Sequence, residues 1–159
     1  MKVLALDLGN NTGWALYDDG VVLSGVWVHH TPSQARFEGG GIRFVRFLTN
    51  LRQIGRVDRI VLEEVRSHKR PQQRRENVGA AQVYGGYLAT LAQYCETQEP
   101  PIPYEGISVG TIKKWATGKG NASKDLVVQR ANEIIGHRDV VDDNEADAVV
   151  LLMLTVEAV

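Results

Sequence analysis

Hydrophobic and polar positions change period several times along the chain, and each change predicts an element. Residues 2–7 (KVLALD) form a β-prone run stopped by the turn-rich Gly9-Asn10-Asn11-Thr12-Gly13. Residues 13–18 (GWALYD) and 21–28 (VVLSGVWV) flank Asp18-Asp19-Gly20, and Asp-Gly between two such runs predicts a hairpin. The chain therefore opens as a three-stranded antiparallel meander. After Gly39-Gly40-Gly41, the residues Phe44, Leu48 and Leu51 recur at helical spacing, with Arg43, Arg46 and Arg52 largely on other faces. Residues 58–63 (DRIVLE) are a short continuous apolar run, which suits a strand covered on both faces. Residues 78–97 read as a helix rich in small side chains, ended by Pro100, Pro101 and Pro103, and a strand follows at 104–109. Ser123 suits the N-cap of a helix with Val127, Ala131 and Ile134 on its apolar face and Gly136 at its end. Residues 144–157 are apolar nearly all round, which predicts a buried helix. The order βββ-α-β-α-β-α-α describes an α/β domain with a mixed sheet.

Length and composition narrow this picture without reaching a function. A chain of 159 residues suits one domain, 1–159, able to bury its own core. Eighteen Lys and Arg against nineteen Asp and Glu leave a formal charge of −1, which excludes a globally basic domain but not a local basic patch. The single Cys95 cannot form an intramolecular disulfide, so the fold does not depend on an oxidising compartment. No apolar run approaches the roughly 20 residues of a membrane span. Asp7 interrupts the first apolar run too early for a signal peptide. The expectation is a soluble, cytoplasmic protein.

The carboxylates sit where a core would not want them. Asp7 ends the first strand on the same face as Val3 and Ala5, and Glu63 ends an apolar strand on the face of Val61. Asp143 and Asp147 lie one turn apart at the start of the last helix. Singly, Asp7 suits a turn, Glu63 a solvated strand end, and Asp143 or Asn144 a helix cap. Asp147 has no such reading, because its helix is otherwise apolar. Together they call for a compensating cation. Oxygen ligands without Cys or paired His favour Mg²⁺, with Mn²⁺ as a substitute, over Zn²⁺. Two such ions about 4 Å apart can activate a water and stabilise the leaving oxygen of a phosphodiester.

MKVLALDLGNNTGWAL at the start, VLEEV at 61–65, TGKGNASK at 117–124 and NEADAVVLL at 144–152 occur in order. Over nearly the whole chain this set resembles the RuvC-like Holliday junction resolvases, crossover junction endodeoxyribonucleases of the ribonuclease H-like superfamily. The short length and variable middle look most like a phage or prophage-type member. The resemblance implies a ribonuclease H-like fold with a five-stranded mixed sheet, the antiparallel meander followed by two parallel strands, flanked by helices. It implies a homodimer that resolves branched DNA by paired symmetric nicks, using two Mg²⁺ per active site and leaving 5′-phosphate and 3′-hydroxyl ends. Asp7, Glu63 and Asp147 match the family's metal ligands. Asn144 stands where the family usually has Asp or His, so the fourth ligand is open between Asp143, Asn144 and Glu145. Asp143 is preferred, since Glu145 is rotated by about 200° from Asp147. Lys124 matches a basic residue beside the family's active site. Arg66 stands where the family commonly has an aromatic that disturbs stacking at the crossover.

Two basic segments suit phosphate contacts. Arg66, Lys69, Arg70, Arg74 and Arg75 fall within 66–75, and Lys113, Lys114, Lys119 and Lys124 within 113–124, with no acid in either. Solvated loops would look the same. The five acids of 139–147 nearly cancel the first segment, which is why the net charge conceals both. Trp14, Trp27, Trp115 and Cys95 read as core residues, His29, His30 and His137 as surface or loop residues. Three other functions stay open: a non-catalytic junction-binding protein, a ribonuclease H-like enzyme acting on RNA, and an ATPase using Asp7–Gly13 as a phosphate loop. The last needs a second domain for which 159 residues leave no room.

Overall fold

The computed structural model describes residues 1–29, 39–65 and 74–158. Five strands, β1 (Lys2–Asp7), β2 (Asn11–Asp18), β3 (Val21–Val28), β4 (Arg59–Glu64) and β5 (Tyr104–Ser108), form one sheet in the order β3-β2-β1-β4-β5. β1 to β3 are antiparallel neighbours, and β4 runs parallel to both β1 and β5. The β2–β3 hairpin closes at Asp18 opposite Val21. Asp19 (φ 44°) and Gly20 (φ 93°) both take left-handed backbone, as a two-residue turn matched to strand twist requires.

Period-two alternation along the strands sorts the core into two layers. Leu4, Leu6, Leu16, Ile60 and Leu62 pack with α1 (Gly39–Ile54) and α2 (Arg74–Glu96). Val3, Ala5, Ala15 and Val61 pack on the other face with α3 (Val109–Thr117), α4 (Lys124–Ile135) and α5 (Asp143–Glu157). α5 buries Ala146, Ala148, Val149, Val150, Leu151 and Leu152 completely, as its all-round apolar pattern predicts. Two glycines permit close approach. A Cβ on Gly13 would stand 1.8 Å from the Asn144 carbonyl oxygen, and one on Gly86 would stand 2.2 Å from the Phe44 ring. The first seats the start of α5 on β2, and the second lets α2 lie against α1.

α2 begins at Arg74 and β2 at Asn11, earlier than the predicted 78 and 13, and the structure departs from the sequence reading in four other places. Three helices follow β5 instead of two, because α3 is nine residues long and buries only Ile112, too little to show a period. Ser108 caps it by accepting from the Thr111 N–H, and Gly118 ends it in left-handed conformation. α4 buries Ile135 together with Val127 and Ala131, the strict four-residue row, while Ile134 is only partly covered. The N-cap of α5 is Asp142, which accepts from the N–H groups of Asn144 and Glu145, leaving Asp143 and Asn144 inside the helix. His29, expected at the surface, is 1% exposed among Trp27, Phe47 and Tyr87. It leaves β3 beneath the two helices of the first layer, a position no local pattern reveals.

Candidate active site

The β1–β4 ladder ends with Leu6 opposite Leu62, so Asp7 and Glu63 follow as the next residues on two adjacent parallel strands. By alternation both face the layer that contains α5, which brings Asp147 over them one turn after its N-cap. All three carboxylates are partly buried. Burial, then repulsion from Glu63 and Asp147, pushes Asp7 up to about 8, with Lys124 opposing. Burial and Asp147 push Glu63 up to about 7, opposed by Lys113 and Lys124. Burial also raises Asp147, against the same two lysines. The arrangement is an acidic centre at the end of the parallel strands, short of positive charge. Among the described residues, no three Asp, Glu, His or Cys side chains already stand together as a metal cage.

Asp143 is on the same side of α5 and forms an ion pair with Lys124 at 2.7 Å, which holds the lysine above its usual value. Glu145 points elsewhere, as its helical phase predicts. It is 7% exposed and bonded to Arg138, and Ser24 donates to it at 2.8 Å, so it ties the first turn of α5 to β3. Lys113 belongs with the site as well as with the basic segment. It lies on α3 and acts on both Glu63 and Asp147. Its spacing of 11 residues from Lys124 was the signal available, without a reason in sequence to connect it to the carboxylates. Asp142 also acts on Asp7, although its side chain is spent as a cap.

Two further residues hold the carboxylates in place and escaped the sequence reading. The Tyr84 hydroxyl donates to the Glu63 carbonyl at 3.2 Å and accepts from the Val65 N–H at 3.5 Å, pinning the end of β4 to α2. Thr12, fully buried, donates to the Gly9 carbonyl at 2.7 Å and stands 3.1 Å from His29 Nε2, bracing the turn after Asp7. Lys114 and Lys119 are exposed on α3 and the loop beyond it. Arg74 and Arg75 open α2, and Arg66, Lys69 and Arg70 lie outside the described residues. Trp14 stacks on Trp27, Trp115 packs beneath Arg130, and Cys95 is buried.

A mixed sheet of this strand order, with helices on both faces, defines the ribonuclease H-like fold of RuvC. The Thermus thermophilus RuvC structure with Holliday junction substrate superimposes with a TM-score of 0.70 at 21% identity, over 95% of this chain and 90% of that one. A second Thermus thermophilus RuvC structure gives 0.62 at 21% identity over the same shares. The yeast mitochondrial Holliday junction resolvase Ydc2 gives 0.57 at 15% identity, over 94% and 75%. No family model and no curated protein matches the sequence.

Proposed function

We propose that the protein is a structure-specific DNA endonuclease that resolves four-way or other branched junctions by divalent-metal-dependent phosphodiester hydrolysis. The observation that supports this most is the convergence of Asp7, Glu63 and Asp147 from β1, β4 and α5, each with its pKa held above the usual carboxylate range. The likeness of fold to junction resolvases fits the same reading.

The donor set fits a hard cation. It is all oxygen, and the burial and mutual repulsion that raise Asp7 and Glu63 are what bound positive charge offsets. Asp7, Glu63 and Asp147 would hold Mg²⁺, or Mn²⁺ in its place, two ions per site, with Asp143 as fourth ligand. Lys124 engages Asp143 through Oδ2, which leaves its other carboxylate oxygen as the donor for a metal. Ligand binding has to draw the carboxylates together. When bound, Mg²⁺ supplies charge neutralisation at the scissile phosphate and a lowered pKa for the attacking water. Lys113 and Lys124 orient the phosphate from the α3–α4 side and balance the charge that develops on it. Lys114 and Lys119 extend this positive surface for the junction arms, the bases of 66–75 are proposed as further phosphate contacts, and binding weakens steeply in salt. Paired nicks require two sites, hence a homodimer. Ala81, Gly85 and Ala89 form an exposed row of small residues along α2 suited to close helix contact.

The test is cleavage of a synthetic four-way DNA junction against linear duplex and an RNA–DNA hybrid, with Mg²⁺ and without. Paired nicks in the junction alone are expected, lost in Asp7→Asn while junction binding persists. Undiminished nicking by Asp7→Asn, or equal cleavage of all three substrates, refutes the proposal.

A further inference from the structure

We propose that Asn10 is a substrate-contacting residue whose side-chain amide donates to a backbone phosphate of the strand entering the site, an inference that rests on the nuclease reading above. Asn10 is exposed in the loop between β1 and β2, three residues beyond Asp7. An Asn in such a turn ordinarily bonds its own backbone. Here its carboxamide oxygen accepts from Arg43 Nη1 of α1 at 3.0 Å and from the Tyr87 hydroxyl of α2 at 3.5 Å. A guanidinium can only donate, so the atom facing it must be the oxygen. Among the described residues the amide nitrogen makes no hydrogen bond of its own. The backbone is held too: the Asn10 carbonyl accepts from the His29 N–H at 2.9 Å, and Thr12 clamps Gly9 beside it. Two helices and the end of β3 thus fix an exposed loop residue that follows Asp7 by three positions.

The chemistry of that donor selects its ligand. A lysine here would be drawn to Asp7, and an acceptor would repel an anionic strand. A neutral N–H donor does neither, and phosphate oxygens are the commonest acceptors on nucleic acid. Because the amide is immobilised before substrate arrives, little rotamer entropy is lost on contact.

Two variants separate contact from scaffolding. Asn10→Asp keeps an oxygen for Arg43 and Tyr87 but deletes the donor. Asn10→Ala deletes both without adding charge. Junction affinity is measured in chelator, where no cleavage occurs, on junctions of several arm sequences, alongside melting temperature. Both variants should bind about tenfold more weakly on every sequence, the effect of one hydrogen bond to a charged acceptor, and Asn10→Asp should melt as the wild type does. Wild-type affinity in either variant overturns the proposal. So does a loss confined to certain sequences, or a loss in Asn10→Ala that only follows a fall in melting temperature. Asp7→Asn in the same buffer tells the two readings apart. If it binds while the Asn10 variants are unaffected, this inference alone fails; if the wild type has no affinity for DNA, both fail.

Discussion

Replacing Asp7 by Asn should stabilise the metal-free protein, and increasingly so as pH rises. An ordinary aspartate ionises near pH 3.9, whereas burial and the repulsion of Glu63 and Asp147 push Asp7 up to about 8. Between these values the folded protein binds a proton that the unfolded chain has released, so its stability falls as pH rises. At about 1.4 kcal/mol per pH unit, the interval from about 4 to 7 sets a ceiling of about 4 kcal/mol. Charge shared among three carboxylates in partial contact with water brings this to about 2 kcal/mol. Asn titrates in neither state and escapes the cost. For a chain of this size the gain corresponds to about 4–8 °C in melting temperature. Melts in chelator from pH 4 to 8.5 should show curves that coincide near pH 4 and separate steadily toward pH 8. His29 titrates in both proteins and cancels in the difference. Added Mg²⁺ should reverse the order by stabilising the wild type selectively, since a ligand that binds only the native state raises its stability. A difference that is absent at pH 8, or that does not vary with pH, refutes the account of Asp7 as a desolvated member of an acidic cluster.

Four other outcomes follow from particular contacts. Gly13→Ala places a methyl against the Asn144 carbonyl and should lower stability by at least about 2 kcal/mol while displacing the first turn of α5, read as a lower melting temperature and lost cleavage. Lys113→Ala should slow cleavage about 100-fold with its melting temperature nearly unchanged, measured in single-turnover assays; Lys124→Ala should do the same, because its exposed pair with Asp143 is worth at most about 1 kcal/mol. His29, which burial and Arg46 push down to about 4, refuses a proton that the unfolded chain takes up below about pH 6.5. Stability should therefore fall by about 2 kcal/mol as pH drops from 6.5 toward 4, and His29→Asn should flatten that limb of the melting profile.

The same contacts explain how an unfavourable site is kept in place. Three carboxylates that repel one another would splay if their elements were free. Tyr84 pins the exit of β4, Thr12 and His29 brace the turn after β1, and Glu145 with Arg138 and Ser24 ties α5 to β3. None of these groups needs to touch a substrate. Removing one should loosen the carboxylates before it unfolds the chain.

Local order was decided along the chain. Alternation in KVLALD and RIVLE put Asp7 and Glu63 on the faces of Ala5 and Val61, and the structure keeps them there, because a strand's side chains alternate whatever surrounds it. Asp-Gly made the hairpin, and the apolar run from Val149 to Leu154 made a helix for the core. Tertiary structure decided the rest. The parallel pairing of β1 with β4 joins residues 56 apart and makes Asp7 and Glu63 neighbours. Packing of α5 through the gap at Gly13 brings Asp147 to them, and α3, too short to show a period, carries Lys113 to the same place. His29 was misplaced for the same reason. Burial, pairing and shifted acidity are properties of surfaces meeting across long stretches of chain, whereas period and turn chemistry are properties of a few consecutive residues.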